Sequence, residues 1–148
     1  MRMIYILKSL IDSIIEETLV NEPLETGGML LGYIEQRNYY VVDLIDSGPE
    51  AVHKSNYFLP DGKYQQPILE QKFFKSNGKV TFLGDWHSHP NADSYMSNLD
   101  METLKNISED EGAQITCPIF IIIGTSPFKI RGFSYENGNY QKLVLKII

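Results

Sequence analysis

Apolar and polar positions change period several times along the 148-residue chain. Residues 3–7, MIYIL, form a short apolar run that reads as a strand. SLIDSIIEETLV then spaces Leu10, Ile11, Ile14, Ile15 and Leu19 along one helical face, with Ser9 and Asp12 in capping-box positions and Pro23 closing the region. Residues 27–46, GGMLLGYIEQRNYYVVDLID, are two apolar runs around a polar turn at 36–38, which predicts a hairpin. Residues 48–60 carry no period and read as irregular, and a helix is expected over roughly 61–76. KVTFLGDWHSH, residues 79–89, is a strand that Pro90 stops, because proline has no N–H to offer a ladder. A helix starts near Ser97 and ends before Gly112, and CPIFIIIG, residues 117–124, is a buried strand. The last two strands flank ENGN, where Asn137 and Gly138 signal a tight hairpin turn. Strands outnumber helices but alternate with them, giving an α+β class with a mostly antiparallel sheet.

This length suits one domain spanning 1–148 rather than two marginal halves. Hydrophobic content of 43% and charged content of 22% are ordinary for a soluble chain. A net charge of −6 argues against a nucleic-acid or anionic-membrane binder. The N-terminal apolar run is broken by Lys8 and Asp12 with no small-residue cleavage site after it, so no leader is expected. No stretch approaches the ~20 apolar residues of a membrane span. Cys117 is the single cysteine, which excludes an internal disulfide and a cysteine zinc cluster and points to the cytoplasm.

Histidine is concentrated in residues 84–100, GDWHSHPNADSYMSNLD, which hold two of the three in the chain. Strand alternation puts His87 and His89 on one face with Asp85 and Leu83, and Phe82 and Trp86 on the other. Two imidazoles so placed can chelate one ion. On the following helix, Ser97 and Asp100 lie about 60° apart, on the side that also carries Met101, Leu104 and Ile107. A carboxylate directed inward needs a compensating partner, and a cation held by the histidines supplies one. Each piece alone has a plainer reading. SNLD is also a helix N-cap box, a role that can coexist with chemistry if the Ser97 hydroxyl is shared. Asp85 and Asp93 read as solvated surface, Trp86 as core and His53 as a surface histidine. Glu25, just before Gly27 and Gly28 in NEPLETGGMLLG, reads alone as an exposed loop carboxylate.

Together these residues resemble the JAMM motif of the JAB1/MPN/Mov34 metalloprotease family, the MPN+ class. That motif is a glutamate, a long interval, HxH, seven residues, a serine, two residues and an aspartate. Glu25, His87, His89, Ser97 and Asp100 fill it without departure. The resemblance implies a single MPN/JAB domain with a curved sheet flanked by helices, similar to cytidine deaminases. It implies one zinc ion per chain held by His87, His89 and Asp100, with Glu25 as general base and Ser97 stabilising the oxyanion. The substrate it implies is the bond after the C-terminal tail of a ubiquitin-like protein or its conjugate, the tail lying as an added strand with residues 48–60 at the border of the groove. Compact prokaryotic members of this type occur beside E1/E2-like conjugation enzymes, including antiphage defence systems. Two rival readings are processing of a sulfur-carrier protein C-terminus and a non-catalytic MPN scaffold; scaffolds generally lack part of the ligand set, and this chain lacks none. A zinc deaminase would need a cysteine pair that a single cysteine cannot provide.

Overall fold

The computed structural model describes residues 2–148. Strand β1 (Met3–Ile6) leads into helix α1 (Lys8–Asn21), followed by the hairpin of β2 (Gly27–Glu35) and β3 (Asn38–Ile45). Two short strands, β4 (Val52–His53) and β5 (Phe58–Leu59), come next, then α2 (Gly62–Lys75) and β6 (Thr81–His89). Helix α3 (Asn98–Glu109) precedes β7 (Ile119–Thr125), β8 (Phe128–Glu136) and β9 (Asn139–Ile147). Gln36 and Arg37 turn the first hairpin with φ of 50° and 69°, and Asn137 and Gly138 turn the last with 50° and 82°. Both tight turns need positive φ at their central residues to match the twist of the strands they join.

Seven strands close into a barrel in the order β1-β3-β2-β6-β7-β8-β9, so the sheet expected to be curved and flanked by helices is closed on itself. Closure depends on β1, which lies parallel to β3 on one side and to β9 on the other. The remaining parallel pair, β6 with β7, is bridged by α3. The other pairings are antiparallel, which makes the sheet mixed and the class α+β.

Strand β7 divides the apolar interior by its alternation. Ile119, Ile121 and Ile123 pack in one cluster with Ile11 and Ile14 of α1 and with Leu30, Leu83 and Trp86. Phe120 and Ile122 face the other way and join Leu104 of α3, Phe133 and Tyr135. Ile122 is the register partner of His87, so α3 packs on the face from which His87 projects. Full burial of Leu104 contributes roughly 1.5–3 kcal/mol to holding it there.

Local details depart from the sequence reading. Helix α1 begins one residue before Ser9 with no side-chain cap, and Asp12 pairs with Lys8 at 2.9 Å instead of closing a capping box. Leu19 is exposed, while Thr18 takes the buried position and bonds back to the Ile14 carbonyl. Residues 48–60 contain the β4–β5 pair, too short to announce itself by period. In β6 the register against β2 shifts between Leu30 and Leu31, leaving Leu83 as an extra residue. This bulge breaks strict alternation, and Leu83 joins Trp86 in the core rather than sharing a face with His87.

Candidate metal centre

Strand β6 carries His87 and His89 to its C-terminal end, and α3 brings Asp100 in its first turn to meet them. Asp100 lies four residues before Leu104, on the stripe that packs against the sheet. Its Oδ1 lies 3.1 Å from His87 Nε2 and its Oδ2 lies 3.1 Å from His89 Nε2. The His87 ring is buried and stands edge-on to Phe120, with centroids 5.2 Å apart.

The helix start sets the carboxylate. Ser97 is the N-cap: its Oγ accepts from Asp100 N–H at 3.0 Å, while Asp100 Oδ2 accepts from Ser97 N–H at 3.0 Å. This reciprocal box pins the Asp100 rotamer as well as the helix terminus. The hydroxyl proton of Ser97 is not used by the box.

Glu25 arrives from the other side of the cleft. Gly27 pairs with His87 across the β2–β6 ladder, and a Cβ on Gly27 would sit 2.3 Å from the Trp86 carbonyl oxygen. Only a residue without a side chain allows that approach, and it brings the chain just before β2 to the histidines. Glu25 N–H donates to the Lys54 carbonyl at 2.7 Å, and the Glu25 carbonyl lies 2.9 Å from His53 Nδ1. Thr26 N–H donates to Ser88 Oγ at 3.0 Å, and Ser88 N–H donates back to the Thr26 carbonyl at 2.9 Å. His53 is therefore half-buried and holds the Glu25 main chain, not a free surface histidine. Ser88, between the two histidines and fully buried, fastens the same segment from the opposite face.

The residues predicted from the motif, Glu25, His87, His89, Ser97 and Asp100, all line one cleft of about 670 Å³. Asp85 lines it too, half-buried, and burial pushes its carboxyl up to about 7 against the lowering effect of His87. Asp93, also expected in solvent, is instead bonded to Arg131 of β8. Burial raises Glu25 above the ordinary carboxylate range, the two imidazoles oppose this and Asp100 adds to it. Burial would raise Asp100 as well, but the imidazoles and the Ser97 N–H hold it well below its usual range. His89 is raised: burial lowers it, and its bonds to Asp100 and the Asp93 carbonyl, with the charges of Asp100 and Glu25, outweigh that.

The donor set fits a divalent cation. His89 Nδ1 lies 3.1 Å from the Asp93 carbonyl, which can only accept, so Nδ1 carries the proton. A neutral His89 then presents the bare lone pair of Nε2 to a carboxylate oxygen, two acceptors in contact unless a proton or a cation stands between. His87 Nε2 is buried with no hydrogen-bond partner, its approach to Asp100 being out of line. One donor atom from each of the three residues falls within 4.8 Å of the others. Tetrahedral zinc with ligands near 2.05 Å spaces them about 3.3 Å apart, close to the 3.1 Å contacts here. Two imidazoles and one carboxylate leave a position for a reacting molecule.

Comparison with known proteins adds an independent line. The family model for prokaryotic homologs of the JAB domain matches residues 7–136. The chain is 31% identical over 128 residues to "Probable metalloprotease y4qB" of Sinorhizobium fredii, covering 85% of this chain and 78% of the relative. It is 27% identical over 79 residues to the "CD-NTase/cGAS isopeptidase" of Escherichia coli, a match spanning 53% of this chain and 51% of that protein. In fold it resembles the solution structure of protein DSY2949 from Desulfitobacterium hafniense, with a TM-score of 0.75 at 19% identity over 99% of this chain and 93% of the other.

Proposed function

This chain belongs to the prokaryotic JAB-domain family and is a JAMM-type metalloprotease, and from that premise we propose that it hydrolyses the bond following the C-terminal tail of a ubiquitin-like protein, with zinc as its metal. Residues 1–148 act as one catalytic domain in this reading. The observation that carries it is the convergence of the His87 and His89 Nε2 atoms on the two oxygens of Asp100, in the cleft that Glu25 also lines.

His87, His89 and Asp100 would hold the ion. Bound there, zinc supplies the Lewis acidity that brings water's pKa toward neutrality. Glu25 takes the proton of the attacking water and delivers it to the leaving amine. A carboxyl raised by burial suits both halves of that task, because its proton affinity lies closer to working pH. Ser97 accepts the Asp100 N–H with its oxygen and has its proton free to donate to the developing oxyanion. The Asp93 carbonyl holds His89 in the Nδ1–H form, which keeps Nε2 available as a ligand. The amide is cleaved without a covalent enzyme intermediate, and Cys117 has no part in it.

The tail enters as a strand. All seven strands of the barrel are paired on both sides, so the open main-chain edge near the site is that of β4 and β5. Phe58 and Leu59 of this pair line the cleft together with Leu99 and Thr103 of α3. Main-chain bonding along such an edge reads an extended tail. The name of the Escherichia coli relative supports a conjugated nucleotidyltransferase as one kind of target. E1/E2-like conjugation proteins are the partners expected in that setting, and the cytoplasm the location. No helix among the described residues is long and apolar enough to cross a membrane.

The test is elemental analysis of the purified protein coupled to cleavage of two ubiquitin-like substrates, one joined to a large protein and one bearing a short C-terminal extension. About one zinc per chain and chelator-sensitive cleavage of the large conjugate are expected. Cleavage of the short extension alone would assign the chain to carrier-protein processing, and a zinc-loaded protein that cuts neither would overturn the peptidase reading.

A further inference from the structure

Arg131 is a buried cation that the proposed chemistry does not use. It is 8% exposed, on β8, in register with Ile122 of β7, which is itself in register with His87. Register partners point to the same side of a sheet, so the guanidinium lies on the face that carries the metal centre. Its Nη1 donates to Ser94 Oγ at 2.7 Å and to Asp93 Oδ1, and its guanidinium carbon lies 4.0 Å from the Tyr95 ring centroid. One side chain thus grips three consecutive residues of the loop between β6 and α3.

That loop has two kinds of anchor. Its first half is held through its main-chain groups by the β7–β8 turn: Asn91 N–H donates to the Thr125 side-chain Oγ1 at 2.8 Å and Ser126 N–H to the Ala92 carbonyl at 3.2 Å. Gly124 lets the loop lie directly on β7, since a Cβ there would meet the Ala92 oxygen at 2.6 Å. The second half, Asp93 to Tyr95, is held by Arg131. Asp93 is the residue whose carbonyl accepts from His89 Nδ1. Its carboxylate is fastened by Arg131 while its carbonyl faces the imidazole, so the orientation of one peptide group couples the two.

We propose that Arg131 is a positioning residue for the metal centre: by gripping Asp93 and Ser94 it aims the Asp93 carbonyl at His89 and sets the imidazole tautomer that presents a bare Nε2. This rests on His89 being a metal ligand, as proposed above. Both bonds leave the one nitrogen Nη1, so an ammonium can replace part of the grip, whereas only the planar guanidinium also lays its face on the Tyr95 ring. A loop brace with no bearing on the metal would give the same burial and the same bonds, so the test must read the imidazole itself.

The experiment compares wild type with Arg131→Met and Arg131→Lys. Zinc affinity is measured by competition with a chromogenic chelator, the His89 and His87 tautomers by long-range 1H–15N spectra of zinc-free protein at alkaline pH, and folding by thermal melting. Arg131→Met is expected to weaken zinc binding by about 10- to 100-fold, the usual effect of losing a ligand's hydrogen-bond support. Its His89 should become a mixture of tautomers while His87 is unchanged, and Arg131→Lys should recover part of both. Zinc affinity within about twofold of wild type, or a His89 that stays in the Nδ1–H form, would overturn the proposal. If Arg131→Met does not fold, Asp93→Asn replaces it, removing the charged acceptor but keeping the carbonyl. It should move both readouts in the same direction, and wild-type values in that variant would equally overturn the proposal. A wild-type protein that takes up no zinc defeats the metal reading instead, while the tautomer comparison still decides the part played by Arg131.

Discussion

Replacing Ser97 separates the helix cap that its hydroxyl supplies from the oxyanion role proposed for it. The Oγ lone pair caps α3, and the cap bond does not use the hydroxyl proton, which the proposed mechanism assigns to the oxyanion. Ser97→Ala removes one of the two reciprocal cap bonds; the other, from Ser97 N–H to Asp100 Oδ2, survives. Both are solvent-exposed, so the loss belongs at the lower end of measured N-cap effects, about 0.5–1 kcal/mol. For a chain of this size that is a fall in Tm of about 1–4 °C. Loss of an oxyanion donor is larger, on the order of a hundredfold in kcat, or about 2.7 kcal/mol. Ser97→Gly sharpens the comparison, because glycine at an N-cap costs only a few tenths of a kcal/mol yet also lacks the hydroxyl. Thermal melting, zinc content and single-turnover cleavage are measured on all three proteins. Both variants should retain zinc, differ in Tm and share the same large loss of rate. Wild-type turnover per folded, zinc-loaded molecule in either variant would refute the catalytic role and leave Ser97 as a cap.

Other expectations follow from the same geometry. Glu25→Gln should bind zinc and lose about a thousandfold in kcat, the range for a general base, whereas His89→Ala should lose both; calorimetric zinc titration beside a cleavage assay checks this. Leu104 is fully buried against Phe120 and Ile122, so Leu104→Ala should cost about 3 kcal/mol by denaturant titration and, by loosening α3, weaken zinc binding. The zinc-free protein should lose stability as pH rises. His89 is raised above 6.5, so its contribution is complete below that value and disappears as pH passes through the folded-state pKa. Asp100 is depressed below 3.8, so its contribution is present above that value and is lost as pH falls through the folded-state pKa. Denaturation midpoints should therefore be higher near pH 5.5 than near pH 8.5 without zinc, and excess zinc should remove the alkaline loss. Greater stability of the zinc-free protein at the alkaline value would contradict the His89–Asp100 pairing.

What could be read from the sequence was local. The period-two run into Pro90, the SNLD cap and the apolar stripe of α3 each state their geometry within a few residues, and so does the tight turn at Asn137 and Gly138. Barrel closure is not local: residues 3–6 and 144–147 alternate as half-buried strands do whatever lies beside them, and nothing nearby names the partner. The bulge at Leu83 was equally hidden, since an extra residue in a ladder is visible only against the opposing strand. The motif residues stood out because histidine is scarce in this chain and concentrated in one stretch. Their supports did not. His53 reaches Glu25 across 28 residues, Ser88 reaches Thr26 across 62, and Arg131 reaches Asp93 across 38. The one available signal was Arg131 itself, a cation directly before GFSY, four residues that are all buried, where an unpaired charge would be too expensive to keep.

The parallel contact between β1 and β9 bears on how the chain is made. During translation β1 emerges early, yet one of its two flanks has no mate until residues 139–147 have left the ribosome. Until then the nascent polypeptide carries two raw sheet borders, one on β1 and one on β8. A stalled or clipped product ending before β9 would expose both and should be prone to clumping. The elements bearing the five motif side chains are synthesised well before that last staple, so the order of manufacture leaves the cleft waiting on the strand furthest from it in the chain.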